Sequence, residues 1–194
     1  MSTLILAFDT SGPFCAAALL RDGDVLVARS EEMKRGQAER LMPLLEEVLA
    51  EGGATWQDLT AIGVGTGPGN FTGIRISVSA ARGLALGLKV PAVGVTGFES
   101  LDAIAPEGTL PTIPAPRDHV YVRRNGQEAE LLPRADLEAT AKLYLVPSGS
   151  ETAVSIARIA ADRFAQANTP PAPFYLRPAD AAPSRDVPPV LLDE

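Results

Sequence analysis

The sequence is poor in the residues that build metal centres and disulfide frameworks. Its 194 residues include one cysteine, Cys15, and one histidine, His119. A single cysteine excludes a disulfide framework and a multi-thiolate zinc site, and a single histidine excludes the common catalytic sites that use two or three imidazoles. The start of the sequence lacks the pattern of a signal peptide, and no uncharged apolar run reaches the ~18 residues of a membrane span. We therefore expect a cytoplasmic protein that binds no metal and no membrane.

Positive charge is also in deficit. Lysine and arginine total 17 against 24 aspartates and glutamates, which gives a formal net charge of -7. Because phosphate binding depends on lysine and arginine, a protein that binds nucleic acid on its own is disfavoured. Hydrophobic residues make up 46% of the chain, enough to bury a core.

The first half has the stronger pattern. It predicts strands over Thr3–Asp9, Phe14–Leu20 and Val25–Arg29, a helix over Gln37–Glu51, a strand in "TAIGVGTG", a helix from about Thr72 to Leu88 and a strand in "VPAVGVTG". Three strands joined by hairpins, followed by helix, strand, helix and strand, is the order of a ribonuclease H-like unit. The actin, Hsp70 and sugar-kinase fold uses that unit twice. We therefore predict an actin-like α/β fold of two such subdomains with the second one reduced, an analogy that does not fix function.

The second half is richer in proline, with 13 of the 17 prolines at or after Pro106. Its pattern predicts a strand pair over Tyr121–Arg124 and Glu128–Leu132, a short strand over Leu143–Val146, a helix over Glu151–Phe164 and an extended tail anchored at Phe174, Tyr175 and Leu176. The expected boundaries are residues 1–97 for the first subdomain, 98–168 for the second and 169–194 for the tail.

The glycine-rich segment Gly65–Arg75, "GTGPGNFTGIR", is the most informative motif. It allows close backbone approach, and Thr72 is a candidate cap for the helix that follows. No Gly-Lys-Ser/Thr follows it, so it is not a P-loop. Both a structural loop and a phosphate or partner contact remain open, because free N–H groups at a helix start suit an anion.

Asp9 ends the first strand in "AFDTS", a turn that faces the nucleotide phosphates in actin-like folds. An Asx-type turn with a purely structural role is the alternative. The candidate phosphate-facing residues are Asp9, Thr10, Ser11, Gly67, Gly69, Asn70 and Thr72, and no residue is assigned as catalytic or metal-binding. We interpret His119 as an ordinary surface residue and Cys15 as a buried, inert thiol.

The two predicted helices of the first half differ in their apolar faces. The first has one apolar stripe, whereas the second has apolar or small residues nearly all round. The second is therefore either a deep core helix or part of a helix–helix interface with another chain. The candidate interface residues are Met42, Leu45, Leu49, Ile76, Ala80, Gly83 and Leu84.

Four segments together resemble a known family: "LAFDTS", "RLMPLLEEVL", "GTGPGNFTGIRISVSAARGLALGLKVPAVGV" and "FYLRP". They are similar to the TsaB family, also called YeaZ, the bacterial glycoprotease-like proteins needed to make threonylcarbamoyladenosine in transfer RNA. The resemblance is nearly continuous from Leu4 to about Ser100. Two positions depart from the family pattern: Gln37-Ala38 replaces a His-Ser/Thr pair, and Pro114-Ala115-Pro116 replaces an Asp-Ala-Arg segment.

The resemblance implies a non-catalytic subunit that binds and supports the metal-dependent TsaD subunit in threonylcarbamoyl transfer to transfer RNA. It also implies an ATPase partner, TsaE, and the use of ATP and a metal by partner subunits rather than by this chain. Transfer RNA would be reached through the complex, and the chain alone could form a homodimer. Two alternatives stay open: an ATP-dependent phosphotransferase or glycoprotease-like hydrolase using Asp9 and the glycine loop, and a purely homo-oligomeric protein.

Overall fold

Two β-sheets and five helices organise the chain in the computed structural model, which describes residues 2–124, 127–145 and 148–176. The helices within these ranges are α1 (Gln37–Glu51), α2 (Phe71–Leu88), α3 (Gly97–Asp102), α4 (Arg134–Glu138) and α5 (Gly149–Arg163). None of them is long and apolar enough to cross a bilayer.

The first sheet has five strands in the order β3-β2-β1-β4-β5. Its strands are β1 (Leu4–Asp9), β2 (Phe14–Arg21), β3 (Asp24–Glu32), β4 (Ala61–Gly65) and β5 (Ala92–Val95). Strands β1, β2 and β3 are antiparallel neighbours, while β4 runs parallel to β1 and to β5. The predicted ribonuclease H-like order is confirmed.

Successive side chains of β1 point to opposite faces of the first sheet, so the core is divided into two layers. Leu4, Leu6 and Phe8 face α1 and α2, whereas Ile5 and Ala7 face α5. The α5 side is lined by small residues, and a Cβ added at Gly63 in β4 would lie 3.0 Å from the Cβ of Ala160. This close approach lets α5, which follows the second sheet in the chain, cover the second face of the first sheet.

The second sheet has four strands in the order β8-β7-β6-β9 and completes the predicted actin-like fold in reduced form. Its strands are β6 (Leu110–Ala115), β7 (His119–Val122), β8 (Glu130–Pro133) and β9 (Leu143–Leu145). Strands β7 and β8 pair antiparallel, which confirms the predicted strand pair. Strand β6 and helices α3 and α4 have no counterpart in the sequence prediction.

Strand β6 lies inside the sheet although it contains Pro111 and Pro114. The N–H of Leu110 points to the β9 side, where it donates to the carbonyl of Lys142, so even-numbered N–H groups face β9 and odd-numbered ones face β7. Pairing with β9 covers only residues 110–112, and pairing with β7 covers only 112–115. The nitrogen of Pro111 faces β7, which does not pair at that residue, and the nitrogen of Pro114 faces β9, which does not pair there. Neither proline therefore removes a hydrogen bond of the sheet.

Two sequence expectations about α2 are corrected by the structure. The helix begins at Phe71 with Asn70 as its N-cap, so Thr72 lies inside the helix and does not cap it. It is also not a deep core helix, because Arg82 and Leu86 on its outer side are exposed.

A single turn of 3₁₀ helix, Phe164–Gln166, follows α5, and residues 169–176 beyond it form neither helix nor strand. Phe174 and Leu176 pack in the apolar cluster of α3 and the second sheet, and the backbone N–H of Phe174 donates to the carbonyl of Thr66 at 2.8 Å. We call residues 169–176 the strap. The rest of the predicted tail, the Arg-Pro end of "FYLRP" and Val146 lie outside the described residues.

Candidate functional site

A cleft of about 1100 Å³ opens between the two sheets. Its walls are the β1–β2 turn, one face of β3, the glycine-rich loop, the start of α3, strands β6 and β7, and the first turn of α5. Four of the candidate phosphate-facing residues line it: Asp9, Ser11, Gly69 and Asn70. Of the other three, Thr10 and Gly67 are buried and Thr72 is exposed, and none of them lines the cleft.

Asp9 is held at the floor of the cleft by the turn that follows it. Its carboxylate accepts hydrogen bonds from the backbone N–H of Ser11 at 2.8 Å and from the Ser11 hydroxyl at 2.9 Å. Burial raises the pKa of Asp9 above its usual value, and this effect outweighs the opposite effect of the bonds from Ser11 and Thr10. The predicted Asx-type turn is therefore present, and the carboxylate already has two internal donors.

The glycine-rich loop is locked to the β1–β2 turn. The N–H of Asn70 donates to the carbonyl of Ser11 at 2.7 Å, and the N–H of Gly73 donates to the Asn70 side chain at 2.8 Å. The hydroxyl of Thr10 donates to the carbonyl of Gly73 at 2.6 Å. A Cβ at Gly73 would collide with the carbonyl oxygen of Thr10, so glycine is required there. These donors are engaged within the protein and are not available to an anion.

The lining suits a nucleotide phosphate chain poorly. Its charged members are two carboxylates, Asp9 and Glu32, and one ammonium, Lys34. On the opposite wall, Pro114 and Pro116 offer no N–H donor. Within the part of the chain that the structure describes, no three His, Cys, Asp or Glu side chains are grouped to hold a metal ion. The N-cap residue of α2, Asn70, and the first turn of α5 both border the cleft, so the positive ends of two helix dipoles lie at its edge.

The second candidate site is the outer side of α1 and α2, which pack side by side on the first sheet. Met42 on α1 is exposed, whereas Leu45 and Leu49 are buried in the core of this chain and contribute no side chain to that surface. On α2, Ile76, Ala80 and Leu84 are partly buried at the border of the core.

Gly83 and Leu86 form the most prominent part of that outer side. Leu86 is 83% exposed, and a Cβ placed on Gly83 would meet nothing within 4 Å. The described residues cover little of the Leu86 side chain, so most of its apolar surface is exposed to solvent.

Sequence reasoning missed a cluster at the start of α2, formed by Phe71, Arg75 and Tyr175, which we call the Arg75 cluster. The guanidinium carbon of Arg75 lies 4.3 Å from the centroid of the Phe71 ring, and the Nε–H of Arg75 donates to the Tyr175 hydroxyl at 3.1 Å. The rings of Phe71 and Tyr175 are 4.8 Å apart. The i, i+4 spacing of Phe71 and Arg75 on an exposed helix face was the available signal, but nothing in the sequence indicates the contribution of Tyr175.

The remaining singled-out residues lie away from the cleft. His119 is partly exposed at the start of β7, with its Nδ1 2.7 Å from the carbonyl oxygen of Arg117. Cys15 is fully buried in β2, and burial raises the pKa of its thiol to about 11. Both interpretations from the sequence, a surface histidine and a buried thiol, are confirmed.

One family model and one solved structure each match most of this chain. A family model described as "TsaD: tRNA N6-adenosine threonylcarbamoyltransferase" matches residues 30–175. The solved structure of YeaZ from Pseudomonas aeruginosa superimposes with a TM-score of 0.69 and 27% identity, covering 90% of this chain and 100% of that one.

Curated relatives named TsaB match about half of this chain. The tRNA threonylcarbamoyladenosine biosynthesis protein TsaB of Escherichia coli is 41% identical over 92 residues, which are 47% of this chain and 39% of that protein. For TsaB of Bacillus subtilis the identity is 38% over 99 residues, which are 51% and 43%. The chain thus spans about half or less of the length of these TsaB relatives. An uncharacterized protein of Mycobacterium tuberculosis is 32% identical over 92% of this chain and 94% of its own length.

Proposed function

The chain belongs to the TsaB (YeaZ) family, and on that premise we propose that it is a non-catalytic subunit that binds and supports a TsaD-type subunit. The reaction supported is threonylcarbamoyl transfer to the adenosine next to the transfer-RNA anticodon. The observation that carries the proposal is the outer side of the paired helices, where Leu86 of α2 is 83% exposed and Met42 of α1 is exposed as well. A single exposed leucine is common on protein surfaces, so the two apolar side chains on one helix-pair surface, together with the family match, favour a binding face.

The composition of the cleft supports a role without catalysis. Asp9 is the carboxylate at its floor, and its side chain accepts hydrogen bonds from the backbone N–H and the hydroxyl of Ser11. Nucleophilic catalysis typically pairs the nucleophile with a base that a third group orients, and beside Asp9 the turn supplies only a serine hydroxyl that donates to it. In this proposal, ATP and the metal are handled by the TsaD- and TsaE-type subunits.

The charge of the chain bears on how transfer RNA is held. With a net charge of -7, this subunit repels a polyanion at long range, so the complex is expected to bind transfer RNA mainly through other subunits. When no partner is present, the same α1–α2 surface is available for a homodimer. A purely homo-oligomeric protein would form that dimer and ignore the TsaD-type subunit.

One experiment tests the proposal directly. The chain is titrated into the TsaD-type subunit encoded in the same genome, and complex formation is measured by light scattering together with threonylcarbamoyladenosine formation on transfer RNA. Ala80→Arg and Gly83→Arg should stay folded, with melting near that of the unchanged chain, yet lose binding and activity, because an interface tolerates added volume and charge poorly. Val78→Arg is the control that should unfold, since Val78 is 3% exposed in the core.

Other results would overturn the proposal. Absence of a complex with the unchanged chain would remove the supporting role and favour the homo-oligomer. The rival enzyme, an ATP-dependent phosphotransferase or hydrolase, has one observation in its favour, the cleft of about 1100 Å³ bordered by two helix starts. Turnover of ATP by the purified chain alone, abolished by Asp9→Ala, would establish that rival.

A further inference from the structure

The Arg75 cluster holds an arginine in one orientation at the surface. Stacking on Phe71 fixes the plane of the guanidinium, and the bond from Nε to the Tyr175 hydroxyl fixes its rotation in that plane. Most arginine side chains in a protein surface retain several rotamers, and the loss of that freedom opposes binding. In the free chain, the contacts with Phe71 and Tyr175 already restrict the Arg75 side chain. Less conformational entropy of that side chain is therefore lost when a ligand binds.

Arg75 is exposed and forms no ion pair with a carboxylate among the described residues. Six other arginines do form ion pairs there: Arg29, Arg40, Arg123, Arg124, Arg134 and Arg163. The only side-chain hydrogen bond that Arg75 makes within that part of the chain is the one from Nε to Tyr175. An arginine whose Nε is used internally still offers its two terminal amino groups as a parallel pair of donors, and such a pair matches one carboxylate.

We propose that Arg75 is the polar anchor of the α2 surface and binds a carboxylate side chain of the partner subunit. This inference rests on the proposed function, since it names the chemistry of the contact that the partner makes. The apolar part of the same helix face, around Leu86, lies three turns further along α2. Arginine and tyrosine, the two residues that this cluster joins by a hydrogen bond, are enriched among the energetic hot spots of interfaces.

Charge favours a carboxylate over the phosphates of an RNA. A single fixed guanidinium fits a single carboxylate, whereas RNA binding sums over several basic residues. Helix α1, which lies beside α2, exposes Glu39 and Glu46. These glutamates and the net charge of -7 would repel a nucleic-acid backbone laid across the pair of helices, while one acidic side chain could approach Arg75 near the positive end of α2.

The strap is the element that positions the arginine. Tyr175 follows Phe174, whose N–H donates to the carbonyl of Thr66 and whose ring packs edge-on against Phe98 at 6.4 Å. This hydrogen bond and this ring contact fix the backbone at residue 174, and the Tyr175 ring that follows packs against the Phe71 ring. Tyr175 is a positioning residue in this proposal, and Arg75 is the group that touches the partner.

The test measures the affinity of the full chain for the TsaD-type subunit by calorimetry. Arg75→Ala should weaken binding about tenfold or more, and Arg75→Lys should weaken it nearly as much, because lysine keeps the charge but loses the planar pair of donors. Tyr175→Phe keeps the ring and removes only the hydroxyl, so a loss of about threefold is expected. Arg158→Ala is the matched control, an exposed arginine on α5, which covers the opposite face of the first sheet, and it should change affinity less than about twofold.

Each outcome decides one question. If the unchanged chain does not bind the TsaD-type subunit, the proposed function fails and the carboxylate contact fails with it. If the unchanged chain binds and Arg75→Ala behaves like Arg158→Ala, the proposed function stands and the carboxylate contact is overturned. If Arg75→Ala leaves subunit affinity unchanged but lowers the affinity of the assembled complex for transfer RNA, a phosphate is the ligand and our assignment is wrong. A double-mutant cycle in which Arg75→Ala and the neutralisation of one acidic residue of the partner weaken binding non-additively, with unchanged melting, would identify the carboxylate.

Discussion

Replacing Leu86 by alanine separates the stability of this chain from its association. The change removes three carbon atoms, worth about 0.8 kcal/mol each when fully buried, or ~2.4 kcal/mol in all. Since Leu86 is 83% exposed, the folded chain alone gains only about 0.4 kcal/mol from it. Leu86→Ala should therefore lower the melting temperature by only about 1 °C.

Leu86→Ala should weaken binding of the partner more than it lowers the stability of the folded chain. If the partner covers the exposed 83% of Leu86, burial there contributes about 2 kcal/mol, and Leu86→Ala should raise the Kd about 30-fold. The assay pairs a thermal melt with a calorimetric titration against the TsaD-type subunit. Leu131→Ala is the matched control, because Leu131 is also an exposed leucine, at 41%, but lies on β8 of the second sheet.

Two results would refute this reasoning. An unchanged Kd for Leu86→Ala, with the original chain binding normally, would place the interface away from the C-terminal half of α2. An equal loss of affinity for Leu131→Ala would mean that exposed leucines act nonspecifically rather than through one surface.

Four further predictions concern groups away from α2. Burial raises the pKa of Asp9 above its unfolded value, so the native state binds this proton more tightly and ionisation costs stability as pH rises through the folded pKa. Asp9→Asn keeps an acceptor for the Ser11 N–H but cannot ionise. Its free energy of unfolding relative to that of the original chain should therefore rise between about pH 4 and pH 7, as measured by urea unfolding at these two pH values. A difference in stability between the two chains that does not change with pH would contradict burial as the cause. His119→Ala should leave modification activity in the reconstituted system close to unchanged, because the ring lies outside the cleft, and a loss of about a hundredfold in a folded variant would favour the enzyme alternative. Cys15, with its thiol pKa raised to about 11 by burial, should resist an aromatic disulfide reagent at pH 8 until denaturant is added; rapid labelling of the native chain would show that β2 opens. Elemental analysis of the isolated chain should find no stoichiometric zinc or iron, given one histidine and one cysteine, and about one equivalent of either would refute that expectation.

The sequence predicted the elements whose signal is local. The bounds of α1 were predicted to the residue, Gln37–Glu51, because a regular apolar stripe ends at Gly52-Gly53. The start of α2 was placed one residue late because Asn70 and Thr72 are both capping residue types, and only the bond from the Gly73 N–H to the Asn70 side chain distinguishes them.

Features that depend on neighbours far along the chain could not be predicted. Strand β6 was missed because Pro111 and Pro114 argue against an inner strand, and their tolerance follows from where β7 and β9 stop pairing. Leu45 and Leu49 were assigned to an interface because helical spacing shows which residues share the apolar face of α1. It does not show how much of that face the first sheet and α2 cover, and both leucines are buried there. The Arg75 cluster joins residues that are 100 positions apart, so no periodicity could reveal it.

The position of α5 has a consequence for how the chain folds during synthesis. All five strands of the first sheet have been made by Val95, but the helix that covers their second face ends at Arg163. At ~5–20 residues per second, roughly 3 to 14 s pass before α5 is complete. Throughout that interval Ile5, Val93 and Val95 have no helix to bury them. A nascent or truncated chain that stops after β5 should therefore bind chaperones and aggregate, and its rescue by a separately supplied α5 peptide would identify the uncovered face as the cause.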